Sequence, residues 1–319
     1  MRTLLSPAFL SRRNLLRGAG ASLAGLVGGA SLFSAAAASP VRAARPGSVA
    51  VSAGQDGDRH MTIGVMVNGT GPFRFVVDTG AVRSVLSESV ARQLDLPTKS
   101  VVKVAGVAGI YPTRTVVVHE IAFGSVRHAD LEVPVLPDDQ LDADGYLGLD
   151  VIDRYHVTFD FKRSELRVAQ PRPLANTVSP NTAAVATKGL YGGLRVSNCL
   201  VDTVDTTLFI DTGAGVTVGN RALMTALSET KSDFRTWNRP GYIDDVAGGT
   251  QSGKRAYFGK MQVGDVTFSS GTLLIADLNA FKHWGLIDRP ALLLGMNFLR
   301  QFDAVSIDYI GDQFRFEVG

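Results

Sequence analysis

Cys199 is the one cysteine in 319 residues, so no disulfide can close within the chain. The histidines (His60, His119, His128, His156 and His283) are scattered, and no His-x-x-x-His or Cys-x-x-Cys pair occurs. A dedicated zinc site therefore has no support, and neither metal nor cofactor is expected. Each histidine reads as a surface or strand-edge residue. No Walker loop, Gly-x-Ser-x-Gly elbow or dinucleotide fingerprint is present, which removes the common nucleotide and serine-hydrolase readings. No basic run interleaved with aromatics appears, so nucleic acid is not an expected partner. There is no sustained heptad or long helical stripe, which argues against an all-α chain.

Long apolar stretches are also missing beyond the first forty or so residues. Ser11-Arg12-Arg13-Asn14-Leu15-Leu16 precedes an uncharged run rich in Gly, Ala and Ser that ends near Ser39. A basic head, an apolar middle and small residues at the end make an export signal over residues 1–43. Its paired arginines resemble a bacterial twin-arginine signal. Val41-Arg42-Ala43 fits a cleavage site, with Ala36-Ala37-Ala38 as a competitor. Retention as an anchor is the alternative, but so many small residues make a poor membrane span. Removing residues 1–43 takes five arginines and no acid, turning the formal charge from +2 to −3. The expectation is a periplasmic or secreted protein with no stable membrane insertion after signal removal.

What the chain has is a repeated stretch. Phe75-Val76-Val77-Asp78-Thr79-Gly80-Ala81 returns as Phe209-Ile210-Asp211-Thr212-Gly213-Ala214. Each copy is an apolar, β-branched run ending at an Asp, which reads as a buried strand delivering a carboxylate to a tight turn. The flanks repeat as well. Leu147-Gly148-Leu149-Asp150 matches Leu294-Gly295-Met296-Asn297, Val157-Thr158-Phe159-Asp160 matches Val305-Ser306-Ile307-Asp308, and Leu166-Arg167-Val168 matches Phe314-Arg315-Phe316. Landmarks that recur in one order mark an internal duplication. Asn68-Gly69 signals a hairpin turn, and helices are expected within 82–96 and 222–227. Residues 171–187, rich in Pro, Ala, Thr and Asn, read as a linker between halves at 47–170 and 188–319.

Water is a poor nucleophile toward an amide, and two carboxylates sharing one proton answer that. One takes a proton from water while the other hydrogen-bonds the carbonyl, because two close like charges cannot both ionise cheaply. Gly80 and Gly213 allow close backbone approach to Asp78 and Asp211, and the Thr79 and Thr212 hydroxyls could bond across a pseudo-twofold axis.

On these residues, with Tyr146-Leu147-Gly148 and Leu293-Leu294-Gly295, the chain resembles the retropepsin-like branch of the aspartic proteases over nearly all of residues 60–319. The resemblance implies an all-β fold with short helices, built as two homologous β-barrel lobes with the active site at their interface. It implies Asp78 and Asp211 as the catalytic pair, supported by Thr79, Gly80, Thr212 and Gly213. Hairpin flaps are implied over residues 104–111 and 246–253, with Gly106, Gly109, Tyr111, Gly248 and Gly249 at the substrate. The implied substrate is a protein or peptide bound in extended form, and the implied state is a monomer. Ala81 and Ala214 stand where many two-lobed relatives carry a hydroxyl, which suggests activity nearer neutrality. A non-catalytic peptide-binding module on the same scaffold is the rival reading. Asp150, whose counterpart is Asn297, is not expected to catalyse. Asp202 and Asp205 are expected in turns, Asp160 and Asp308 at strand ends, and Cys199 as a buried small hydrophobe.

Overall fold

The computed structural model describes residues 2–4, 48–56, 60–106, 109–170, 182–190, 193–230, 234–244 and 249–318. Of residues 1–47 only Arg2–Leu4 is described, as a short strand beside Val266–Phe268. Strand accounts for 55 % of the structure and the helices are few and short, so the class is all-β, in two lobes. Among the described residues no helix is long and apolar enough to cross a membrane.

The N-terminal lobe begins with the hairpin Met61–Val67 and Thr70–Val77. Its turn falls on Asn68 (φ 49°) and Gly69 (φ 77°), the pair of positive φ values that a two-residue hairpin turn of this twist needs. The chain leaves Val77 for the Asp78 loop and re-enters as the short strand Val85–Ser87. Helix Glu88–Gln93 follows, capped by the Ser87 hydroxyl, which accepts from Val90 N–H at 3.3 Å. The hairpin Thr98–Ala105 and Ile110–Phe123 is next, then Val126–Leu136, and finally Gly145–Leu147. That last strand pairs in parallel with the strand carrying Asp78 (Phe75 opposite Gly145, Val77 opposite Leu147) and antiparallel with Val85–Ser87. A short strand between two others is where a fully apolar segment belongs, and all three of its residues are buried.

The C-terminal lobe repeats this path. Gly193–Val201 and Val204–Ile210 form the first hairpin, and Val218–Gly219 the re-entry strand. Helix Arg221–Thr230 follows, capped by Asn220 Oδ1, which accepts from Leu223 N–H at 2.9 Å. The hairpin Thr236–Asp244 and Thr250–Phe258 matches the earlier one. Ala291–Leu294 pairs in parallel with the strand leading to Asp211, Ile210 standing opposite Leu294.

The lobes are joined by one six-stranded antiparallel sheet. Its order is Ser48–Gln55, Glu165–Ala169, His156–Asp160, Ala304–Asp308, Gln313–Glu317, Thr182–Leu190, three strands from each half. At its centre Thr158 faces Ser306, with hydroxyl oxygens 2.9 Å apart. Alternate residues (Val157, Phe159, Leu166, Val168, Val305, Ile307, Phe314, Phe316) point into one hydrophobic core continuous through both lobes. The two lobes are therefore parts of a single packed body, and their facing loops are held in fixed relation.

One expectation needs correction. Residues 182–187, read with 171–181 as a linker, lie in the strand Thr182–Leu190: 182–186 pair with Gln313–Glu317 at the edge of that sheet, and 187–190 pair with 193–196. An edge strand held by main-chain bonds needs no apolar period, so composition does not reveal it. Residues 171–181 lie outside the described residues.

Candidate active site

Asp78 and Asp211 meet at the lobe interface. Each sits where its strand ends, and each is held by the short parallel strand beside it. Asp78 N–H donates to Leu147 C=O at 2.9 Å, and Asp211 N–H to Leu294 C=O at 3.0 Å. Behind each loop a glycine makes room for the other. A Cβ on Gly80 would lie 2.6 Å from Asp211 Cγ, and one on Gly213 would lie closer still to Asp78 Cγ. Each glycine backs the carboxyl of the opposite lobe, which is the close approach that excludes any side chain. The two carboxyls hydrogen-bond each other. Asp78 Oδ1 also accepts from Gly80 N–H (2.8 Å) and Ala81 N–H (3.1 Å), and Asp211 Oδ1 from Gly213 N–H (2.8 Å).

Thr79 and Thr212, both fully buried, tie the loops together. Thr79 N–H donates to Thr212 Oγ1 at 3.1 Å, and Thr212 N–H to Thr79 Oγ1 at 3.0 Å. Each hydroxyl then donates to the opposite chain, Thr79 to Ile210 C=O at 3.3 Å and Thr212 to Val77 C=O at 2.8 Å. Four reciprocal bonds across the axis leave neither loop free to move alone.

Behind them lies a support that the sequence reading passed over. Ser84 Oγ accepts from Gly148 N–H (3.1 Å) and donates to Asp150 Oδ1 (2.7 Å). In the other lobe Thr217 Oγ1 accepts from Gly295 N–H (3.0 Å) and donates to Asn297 Oδ1 (2.8 Å). Asp150 and Asn297 thus do one job: each anchors a hydroxyl that pins the glycine strand. The signal was there, since Ser84 and Thr217 stand at the same distance after Asp78 and Asp211, but a hydroxyl six residues on has no chemistry to announce it. Asp160 Oδ1 accepts from Arg163 N–H (2.9 Å) and Asp308 Oδ1 from Gly311 N–H (2.8 Å), both as strand-end turns. Asp202 holds a turn at φ 53°, and Cys199 is buried, its thiol pushed up to about 12 by desolvation.

The hairpins stand where the flaps are expected. Gly106 N–H donates to Gly109 C=O at 2.8 Å, closing the first turn. Its tip reaches the other lobe, where Asn279 Nδ2 donates to Gly106 C=O at 3.3 Å. Tyr111 is half-buried and lies against Gly109. Gly249 directly precedes the return strand Thr250–Phe258 of the second hairpin, whereas Gly248 lies outside the described residues. Exposed apolar side chains include Val82 and Val216 just after the two Asp loops and Ile110 and Tyr242 on the hairpins.

Electrostatically the two carboxyls are unequal. Burial raises Asp78, opposed by the Gly80 and Ala81 N–H groups and the bond to Asp211. Burial and then the Asp78 charge push Asp211 up to about 8. A pair in which one member holds its proton through neutrality can act as acid and base at once. His60, expected at a surface or a strand edge, stands directly before the strand Met61–Val67 and is 5 % exposed, with Asp56 beside it replacing the lost water. Among the described residues no group of three or more His, Cys, Asp or Glu could hold a metal ion.

Residues 63–151 and 196–298 match the family described as aspartyl protease, one segment in each lobe. The chain belongs to the aspartyl protease family. Each matched segment of this family member contains its lobe's Asp-Thr-Gly loop and glycine strand. Among solved structures it is similar to a retropepsin-like aspartic protease from Rickettsia conorii, at 19 % identity over 39 % of this chain and 90 % of that one, with a TM-score of 0.29. No curated protein matches the chain.

Proposed function

We propose that this aspartyl protease is an endopeptidase that hydrolyses peptide bonds through water activated by Asp78 and Asp211. The observation that carries this reading is the hydrogen-bonded carboxyl pair, half-buried between the lobes, with Asp211 pushed up to about 8 by burial and the Asp78 charge. In the resting pair one carboxyl is ionised and one protonated. The ionised carboxylate takes a proton from water while the protonated one donates to the scissile carbonyl oxygen. Water oxygen bonds to the carbonyl carbon, giving a tetrahedral diol. Proton transfer to the amide nitrogen then breaks the C–N bond, releasing an amine and a carboxylic acid and restoring the shared proton.

The substrate of this reading is an extended protein or peptide. The hairpins offer strand edges for main-chain pairing. Val82, Ile110, Val216 and Tyr242 offer apolar surface to alternate side chains. The enzyme acts as a monomer, since both halves of the pair come from one chain, and acts outside the cytoplasm after export through the twin-arginine route.

The test is cleavage of a peptide library by wild type, Asp78→Asn and Asp211→Asn. Each substitution should abolish cleavage while peptide binding and the circular dichroism spectrum stay unchanged. Cleavage by either variant at the wild-type rate overturns the reading. Binding with no cleavage by wild type at any pH from 3 to 8 leaves the non-catalytic module instead. Replacing Arg12 and Arg13 by lysine should leave the protein in the cytoplasm, as cell fractionation would report.

A further inference from the structure

The dyad is symmetric in its loops but not in its surroundings, and the difference is His60. The register of the first hairpin places it. Thr62 lies opposite Val76, so two residues further along the ladder His60 comes opposite Asp78. On its other side Gln55 pairs with Met61, and Asp56 N–H donates to His60 C=O at 3.3 Å, so Asp56 flanks His60 on the side away from Asp78. The order across three adjacent chain segments is Asp56, His60, Asp78.

Asp56 grips His60 twice. Its Oδ1 accepts from His60 N–H at 2.7 Å and its Oδ2 lies 2.6 Å from His60 Nδ1. The two side chains are 0 % and 6 % exposed. A carboxylate this close, in so little water, favours the protonated ring and fixes its orientation. Arg74 also acts on Asp56, which is held below the usual carboxylate range. Among the described residues the C-terminal lobe has nothing equivalent. There Leu194 pairs with Ile210, so the position opposite Asp211 is Gly193, which has no side chain. Among the described residues the duplicated scaffold therefore sets a carboxylate-paired imidazole on one side of the dyad only.

We propose that His60, oriented by Asp56, is a positioning residue that breaks the twofold symmetry of the dyad, keeping Asp78 as the ionised base and leaving the proton on Asp211. This rests on the dyad reading above and deepens it. A positive charge favours the ionised form of its nearer neighbour, and each pK unit of difference is a tenfold bias in where the proton sits. The charges that face the pair are in keeping. His60 draws down both Asp78 and Asp211, and Tyr309, whose buried hydroxyl is pushed up by burial and then by Asp78, Asp153 and Asp211, adds no charge. Asp58 and Arg59 lie outside the described residues.

The experiment asks which carboxyl is ionised without requiring turnover. A small epoxide alkylates a carboxylate but not a carboxylic acid, and peptide mapping by mass spectrometry locates the ester. At pH 5.5 wild type should be labelled on Asp78 in preference to Asp211 by about tenfold or more. His60→Gln should bring the two within about threefold, and His60→Lys, which keeps a cation, should restore the preference. In parallel, both limbs of the kcat/KM–pH profile should move upward by ~1 pH unit in His60→Gln, since losing a cation raises both macroscopic constants of the pair. Labelling of wild type on Asp211, or an unchanged ratio and unchanged pH limbs in His60→Gln, overturns the inference. Should His60→Gln fail to fold, His60→Asn and the wild-type labelling decide it. Cleavage by Asp78→Asn would refute the proteolytic reading separately, because the labelling ratio does not depend on it.

Discussion

Replacing Thr79 by valine tests how the two lobes are locked at the catalytic loops. The substitution keeps the branched shape and removes one hydroxyl from a position with no exposure. Two bonds go with it, Thr212 N–H to Thr79 Oγ1 (3.0 Å) and Thr79 Oγ1 to Ile210 C=O (3.3 Å). The first loss is the costly one, because Thr212 N–H is left buried without its acceptor, at about 1–3 kcal/mol. A second net hydrogen bond adds about 1 kcal/mol, so the expected loss is roughly 2–4 kcal/mol. For a chain of this size that lowers Tm by roughly 3–6 °C. Thermal unfolding followed by far-UV circular dichroism measures it. Thr212→Val removes the mirror pair of bonds, to Thr79 N–H and Val77 C=O, and should cost about the same. The double variant should lose less than the sum, since the first break already frees the loops from each other. In each single variant kcat should fall by about tenfold to a hundredfold as the carboxyls lose register. A Tm within 2 °C of wild type with kcat unchanged would refute the reasoning.

Further outcomes follow from the same geometry. Gly80→Ala or Gly213→Ala drives a Cβ into the opposite carboxyl, so cleavage should drop by ~10²-fold with the dichroism spectrum intact; near-normal kcat in both would show that the carboxyls have room to move. Ser84→Ala strips Gly148 N–H of its acceptor and should lower urea stability by ~1–3 kcal/mol, whereas Asp150→Asn should cost less, because Asn297 already fills that place in the other lobe. The pH dependence of stability has a definite sign. Asp211 binds its proton more tightly in the fold (about 8) than in the unfolded chain (3.8), so its stabilising contribution is present below about pH 4 and lost as pH rises to 8. Asp211→Asn should therefore be more stable than wild type at pH 8, with the difference shrinking toward pH 4; parallel Tm–pH curves would contradict this.

The fold was largely legible because its signals are local. Asn68-Gly69 turns as its φ values require, the helix Glu88–Gln93 falls inside its expected window, the helix Arg221–Thr230 covers 222–227 and overruns it at both ends, and the alternation in 165–169 and 313–317 becomes one buried face. The segment 182–187 was misread for the opposite reason: its strand is made by main-chain bonds to Gln313–Glu317, and nothing in Ala- and Thr-rich composition specifies that partner. Ser84, Thr217 and His60 were passed over in the same way, each acquiring its role from a group far along the chain or across a turn.

By itself the sequence determined the duplication, the strand-to-Asp-Thr-Gly turns and the residues that form them, because periodicity, β-branching and glycine act over a few neighbouring residues. Only the tertiary structure decided that Asp78 and Asp211 share one hydrogen-bonded pair, that four threonine bonds lock it, and that His60 stands beside Asp78. Proximity of two carboxyls, and the burial that separates their protonation, are properties of how the six-stranded sheet sets one lobe against the other, and no stretch of sequence carries that distance.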